Sequence, residues 1–76
     1  MSSAATSSAS VSLTINGEAR ALAAPATVAS LLESMNLAGK RVAVERNGDI
    51  VPRGLHAATE LADGDRLEIV VAVGGG

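Results

Sequence analysis

Apolar and polar residues alternate strictly from Val11 to Ile15, reading Val-Ser-Leu-Thr-Ile, the pattern of a strand with one covered face. Asn16-Gly17 follows directly. Both central positions of a type I′ turn need positive φ, which asparagine and glycine tolerate, so this pair predicts a tight hairpin. Glu18 to Leu22 is then the returning strand; its alanines would also suit a helix, but the turn decides for a strand. Beyond Pro25 the period changes. Val28, Leu31, Leu32 and Met35 fall at i, i+3, i+4 and i+7, one apolar helix face. Thr27 stands where a hydroxyl can cap the first turn, and Asn36 and Gly39 are stop signals. A helix of about two to three turns is too short to stand alone and must pack on a sheet.

The strand period returns in Arg41 to Arg46, with Val42 and Val44 on one side. Asn47-Gly48 predicts a second hairpin, and Ile50-Val51-Pro52 its short return strand, marked by the proline as an edge or a strand end. Gly54 to Leu61 reads as irregular chain with a helical turn. Asp63-Gly64-Asp65 reads as a tight turn. Arg66 to Val73 is the last and most apolar strand, and its near-continuous run predicts a central strand covered more fully than the others. The order strand, strand, helix, strand, strand, strand is that of an α+β domain. A hairpin, a helix laid across it, a second hairpin and a closing strand parallel to the first give a β-grasp, with a mixed sheet of four to five strands and one packed helix. The domain is expected over residues 11–73, after an N-terminal extension over 1–10.

That extension, Met-Ser-Ser-Ala-Ala-Thr-Ser-Ser-Ala-Ser, is small and polar and is expected to be disordered. It has no basic start and no apolar stretch, so it does not read as a signal peptide. No run approaches the roughly 18 apolar residues of a membrane span. A cytoplasmic protein away from membranes is therefore expected.

Composition then removes most kinds of chemistry. The 76 residues include no Cys, Phe, Tyr or Trp, and one His. Without cysteine there is no disulfide framework, no thiolate nucleophile and no Cys-ligated metal. Without aromatic residues there is no stacking platform for single-stranded nucleic acid. Six basic residues against eight acidic ones, a net charge of −2, leave no electrostatic footprint for a phosphate backbone. One histidine cannot build a metal cluster, so no metal site is expected. With 47% hydrophobic residues the chain is nonetheless that of a folded domain, of modest stability for its size.

The remaining feature is the end, Val73-Gly74-Gly75-Gly76. A glycine-rich terminus is most often frayed chain. It can also be a thin, Cβ-free thread that enters another protein's active site and presents an unhindered carboxylate. Position and context favour the second reading. The glycines follow a strong strand with no linker. Upstream stand Val42-Ala43-Val44-Glu45-Arg46-Asn47, then Val51-Pro52-Arg53, then Asp63-Gly64-Asp65 before Glu68-Ile69-Val70. Together with the terminal glycines, these segments closely resemble the ThiS family, the sulfur carrier proteins of thiamin biosynthesis, over about Val11 to Gly76. Residues 1–10 and the lack of aromatic residues depart from the family pattern.

The resemblance implies a ubiquitin-like β-grasp that is a carrier and not an enzyme. In that chemistry an E1-like, ThiF-type adenylyltransferase activates the terminal carboxylate with ATP and Mg²⁺. A sulfur donor system such as a cysteine desulfurase converts it to a thiocarboxylate, and a ThiG-type thiazole synthase takes the sulfur. The carrier itself binds no cofactor. Carried over, Gly76 is the sulfur-carrying terminus, and Gly74 and Gly75 are the thread. The residues agree. A carboxylate is a poor electrophile until adenylation supplies a leaving group, and the chain offers no catalytic side chains of its own. A persulfide carrier needs a thiol, so sulfur on this chain is confined to the terminal carboxyl. Three rivals stand beside this reading: a molybdopterin synthase small subunit with the same tail chemistry, a ubiquitin-like modifier joined to lysines, and an inert β-grasp interaction module. Val-Glu-Arg-Asn and Val-Pro-Arg favour the thiamin family over the first.

Other residues read as structural. His56 is expected to be a solvated loop histidine, Arg53 a fold contact, and Asp63 and Asp65 turn residues rather than ligands. If Leu67, Ile69 and Val71 face the helix, then Val70 and Ala72 face outward beside Ala43. An apolar patch on an open sheet face marks a partner site, so Ala43, Val70 and Ala72 are the expected docking patch.

Overall fold

The computed structural model describes residues 9–72. Five strands, Ser10–Ile15 (β1), Glu18–Ala23 (β2), Val42–Arg46 (β3), Asp49–Ile50 (β4) and Arg66–Val71 (β5), form one sheet in the order β2-β1-β5-β3-β4. The helix Val28–Ser34 (α1) packs on one face, and a 3₁₀ turn, Arg53–Leu55, lies between β4 and β5. β5 is central. It runs parallel to β1, with Thr14 opposite Arg66 and Ile15 opposite Leu67, and antiparallel to β3 from Val42–Val71 to Arg46–Leu67. This is the β-grasp that the order of elements predicts.

Both Asn-Gly pairs make the expected turns. Asn16 and Gly17 have φ of 51° and 87°, and Asn47 and Gly48 have 52° and 90°, the two successive positive values of a type I′ turn. The helix begins in a capping box. Thr27 Oγ1 accepts from the Ser30 N–H at 3.1 Å, and Ser30 Oγ accepts from the Thr27 N–H at 2.8 Å. It ends in a Schellman motif about Asn36 (φ 62°). The Leu37 N–H donates to Leu32 C=O at 2.8 Å and the Asn36 N–H to Glu33 C=O at 3.1 Å, which satisfies carbonyls the helix leaves open.

The core lies between α1 and the sheet. Val28, Leu31 and Leu32 of the helix meet Val11, Leu13 and Ile15 of β1, Val44 of β3 and Leu67 and Ile69 of β5, all buried. Met35, the fourth residue of the predicted helix face, follows the last helical turn and is half-buried.

Several expectations need correction. β5 is central but not covered more fully than the others: it has two buried residues where β1 has three. It alternates, with Leu67 and Ile69 buried and Arg66, Glu68 and Val70 exposed, because one helix covers only one side of the sheet. Val71, at the rim of the helix, is 37% exposed and is not sealed in. His56 is not solvated: it is buried, its Nε2 lies 3.2 Å from Val51 O, and its carbonyl accepts from the Ala29 N–H at 2.9 Å. A loop that passes under a helix start buries what it carries, whatever its local polarity. The N-terminal extension also ends sooner than expected. Ser10 belongs to β1, and Ala9 C=O accepts from the Ala24 N–H at 3.2 Å. Residues 1–8, the rest of that extension, lie outside the described residues, as does Val73.

Candidate functional site

β5 is the last element before the glycines in the sequence. Its entry is fixed by the Asp63-Gly64-Asp65 turn. Asp63 Oδ1 accepts from the Ser12 N–H at 2.7 Å, and the Gly64 N–H donates to Ser12 C=O at 2.8 Å, which docks the turn onto β1. Asp65 is buried and joins three elements. Its carboxylate accepts from the Ala62 N–H at 2.9 Å, from Asn47 Nδ2 at 3.0 Å and from Arg46 Nε at 2.9 Å. Burial pushes the Asp65 carboxyl up. The Ala62 N–H, the Asn47 amide and the Arg46 guanidinium outweigh it and hold the carboxyl below the usual range. These are structural roles, broader than the turn chemistry expected of the two aspartates. Among the described residues no group of acidic or His side chains is arranged to hold a metal ion.

Further along, the two turn asparagines grip β5 from opposite sides. The Asn16 N–H donates to Leu67 C=O at 2.9 Å. Its side chain accepts from the Ile69 N–H at 2.8 Å and donates to Ile69 C=O at 3.1 Å. The Asn47 N–H donates to Arg66 C=O at 2.7 Å, and its Oδ1 accepts from the Arg66 N–H at 2.9 Å. The strand then ends beside the start of β3, where the Ala72 N–H donates to Arg41 C=O at 2.9 Å.

The face of the sheet away from α1 is open. There Ala43 and Val70 lie directly opposite one another across β3 and β5. Ala43 is exposed, Val70 is 64% exposed, and Ala72 is exposed at the next position toward the tail. The three patch residues read from the sequence are thus brought together.

The sequence profile of the ThiS family matches residues 13–76, which takes in the chain from the middle of β1 through β2, the helix, the second hairpin, β5 and the terminal glycines. The chain belongs to the ThiS family. It is 46% identical to the sulfur carrier protein ThiS of Bacillus subtilis over 50 residues, 66% of this chain and 76% of that protein. It is 48% identical over 64 residues to a thiazole synthase of Paramagnetospirillum magneticum, covering 84% of this chain but 20% of that protein; the chain spans about a fifth of that relative's length. Among solved structures, the crystal structure of the thiamine biosynthesis protein ThiS from Geobacter metallireducens matches with a TM-score of 0.72 and 35% identity. It covers 87% of this chain and 100% of that one, so the fold is the ubiquitin-like β-grasp.

In this ThiS-family chain the three tail glycines, Gly74, Gly75 and Gly76, lie outside the described residues. What the structure gives is the strand before them, held by β1 and Asn16 as far as Ile69 and by β3 and Arg41 as far as Ala72. Sequence reading missed one member of the open face. Ile50, opposite Glu45 on β4, is 64% exposed and widens the apolar patch. It was legible in principle, because cross-strand partners share a face. Arg53 opens the 3₁₀ turn as an exposed residue whose carbonyl accepts from the His56 N–H at 3.2 Å. That bond is a contact within the fold through its backbone; its side chain stands at the surface.

Proposed function

We propose that this chain is a sulfur carrier of thiamin biosynthesis that acts through a thiocarboxylate at Gly76. A ThiF-type adenylyltransferase, using ATP and Mg²⁺, converts the Gly76 carboxylate to an acyl-adenylate and releases pyrophosphate. Sulfur from a donor system such as a cysteine desulfurase displaces AMP. The thiocarboxylate then serves a ThiG-type thiazole synthase. The chain is a co-substrate in this sequence, not an enzyme. The observation that carries the reading is the family match extending through the terminal glycines, on a chain whose central strand leads into them without a linker.

The chemistry of the chain supports it. Any sulfur must be carried on the carboxyl group, since there is no cysteine. Gly74 and Gly75 carry no Cβ, which suits passage through a narrow channel. Thiazole synthase as the recipient is supported by the relative in which a segment 48% identical to this chain lies within a protein named thiazole synthase. That observation favours the thiamin pathway over a molybdopterin synthase role.

The test is intact mass spectrometry after incubation with the cognate adenylyltransferase, ATP, Mg²⁺ and a sulfur donor. The expected result is a mass gain of one oxygen-to-sulfur exchange, lost on deletion of Gly75-Gly76. High-mass lysine conjugates would identify a protein modifier instead, and no change under any condition an inert module.

A further inference from the structure

The residue pair that makes each hairpin turn is also the pair most open to attack upon itself. Asparagine and glycine serve there because both accept positive φ. Glycine has no Cβ to shield its amide nitrogen, so that nitrogen can reach the side-chain carbonyl carbon of the asparagine before it. The chain holds three asparagines and no glutamine. Asn16 and Asn47 precede Gly17 and Gly48, whereas Asn36 precedes Leu37, although its φ of 62° is like theirs. Asn16 and Asn47 are thus alike in sequence and in turn type. What separates them is what their amides hold.

The Asn16 amide is held by two neutral backbone groups, accepting from the Ile69 N–H at 2.8 Å and donating to Ile69 C=O at 3.1 Å. The Asn47 amide accepts from the Arg66 N–H at 2.9 Å and donates to the Asp65 carboxylate at 3.0 Å. Asp65 is itself fixed by the Ala62 N–H and by Arg46, and its carboxyl, held below the usual range, is ionised at neutral pH. A hydrogen bond to a charged group is stronger than one between neutral groups. Closing a ring onto the following glycine draws Cγ to the glycine nitrogen and expels Nδ2, so it takes the amide off its partners. The fold therefore slows this reaction at both turns, and more at Asn47 than at Asn16.

We infer that Asn16 and Asn47 are sites of intramolecular deamidation and that Asn16 is the faster of the two in the folded chain. The Gly17 nitrogen gives its proton to solvent base and attacks Asn16 Cγ. The C–N bond forms, the Cγ–Nδ2 bond breaks, and ammonia leaves with a proton. One water molecule then opens the succinimide, at Cγ to give aspartate or at the main-chain carbonyl to give isoaspartate. Nothing is oxidised or reduced, and solvent water is the only other reactant. Aspartate at position 16 still accepts from the Ile69 N–H but sets a carboxylate against Ile69 C=O, where the amide donated. Isoaspartate adds a main-chain carbon within the turn that sets the β1–β2 register from Ile15–Glu18 to Ser10–Ala23. Either product loosens the hold on β5 at Ile69. The reaction needs no partner and does not depend on the tail chemistry proposed above.

The test incubates the full chain, folded and in guanidinium, in mildly alkaline buffer and follows each site by mass. Cleavage after lysine and arginine puts the three asparagines on three peptides, and each conversion exchanges an amino group for a hydroxyl. In guanidinium Asn16 and Asn47 should convert at similar rates and Asn36 far more slowly. In the folded chain Asn16 should convert about tenfold more slowly than when unfolded, and Asn47 several-fold more slowly again. Asp65→Asn, which replaces the charged acceptor by a neutral one, should bring the Asn47 rate to that of Asn16. Circular dichroism checks its fold, and the comparison of the two sites in the unaltered chain stands without it. Four results would each overturn the inference: Asn47 converting as fast as Asn16 in the folded chain, Asn36 keeping pace with both, folded rates equal to unfolded ones, or no conversion of the folded chain at either turn.

Discussion

The Asn16 side-chain amide bonds both the N–H and the C=O of Ile69, at 2.8 and 3.1 Å, across 53 residues of sequence. Asn16 thereby continues the β1–β5 ladder past the point where β1 turns away, its amide standing in for a peptide unit. Asn16→Gly keeps the positive φ and removes the grip. It should cost about 1–3 kcal/mol, the net worth of two partly buried hydrogen bonds. Asn16→Asp keeps the acceptor and loses the donor, and should fall between. Urea unfolding of the three proteins checks the order.

Asp65 makes stability depend on acid. Its folded carboxyl titrates below the unfolded one, because the Ala62 N–H, Asn47 and Arg46 outweigh the cost of burial. The stability it contributes is therefore complete above the unfolded value of about 4. It is lost as pH falls through the lower folded value. Asp65→Asn should lower the unfolding midpoint near neutral pH and flatten its fall below pH of about 4. Denaturation midpoints across that range compare the two.

Leu31 is fully buried under the sheet. Leu31→Ala should cost about 2–5 kcal/mol, a large share of what a domain this size holds. Thermal melts should show partial unfolding at ambient temperature or a sharp drop in midpoint.

Val70 is exposed at the centre of the open face. Val70→Asp should leave the circular dichroism spectrum and melting temperature nearly unchanged. It should weaken complex formation with the adenylyltransferase at least tenfold, about 1.4 kcal/mol. Equal binding by both proteins in titration would place the docking surface elsewhere.

The fold was legible because its signals are local. Two Asn-Gly pairs set both hairpins, Val28, Leu31 and Leu32 set the helix face, and alternation in Val11–Ile15 and at Val42 and Val44 set the register. The open-face neighbours Ala43 and Val70 followed from that register. What escaped reading depends on contacts between distant segments. Asn16 and Asn47 announce turns, but nothing nearby shows that their side chains reach β5. His56 sits among small and polar neighbours, and the start of α1, more than 20 residues earlier in the chain, is what covers it. The apolar run of β5 suggested a strand covered more fully than the others. It reflects instead one face on the core, at Leu67 and Ile69, and an exposed apolar side chain, Val70, on the other.

The placement of β5 between β1 and β3 also has a mechanical meaning. Force on β5 along its own axis acts within the plane of the sheet. Force in that direction loads the hydrogen bonds to both neighbours, and the two asparagine grips, at the same time. These bonds must all yield together; they cannot be peeled away in succession from an edge. β5 is thus held in shear from both sides, where the edge strand β4 is held from one.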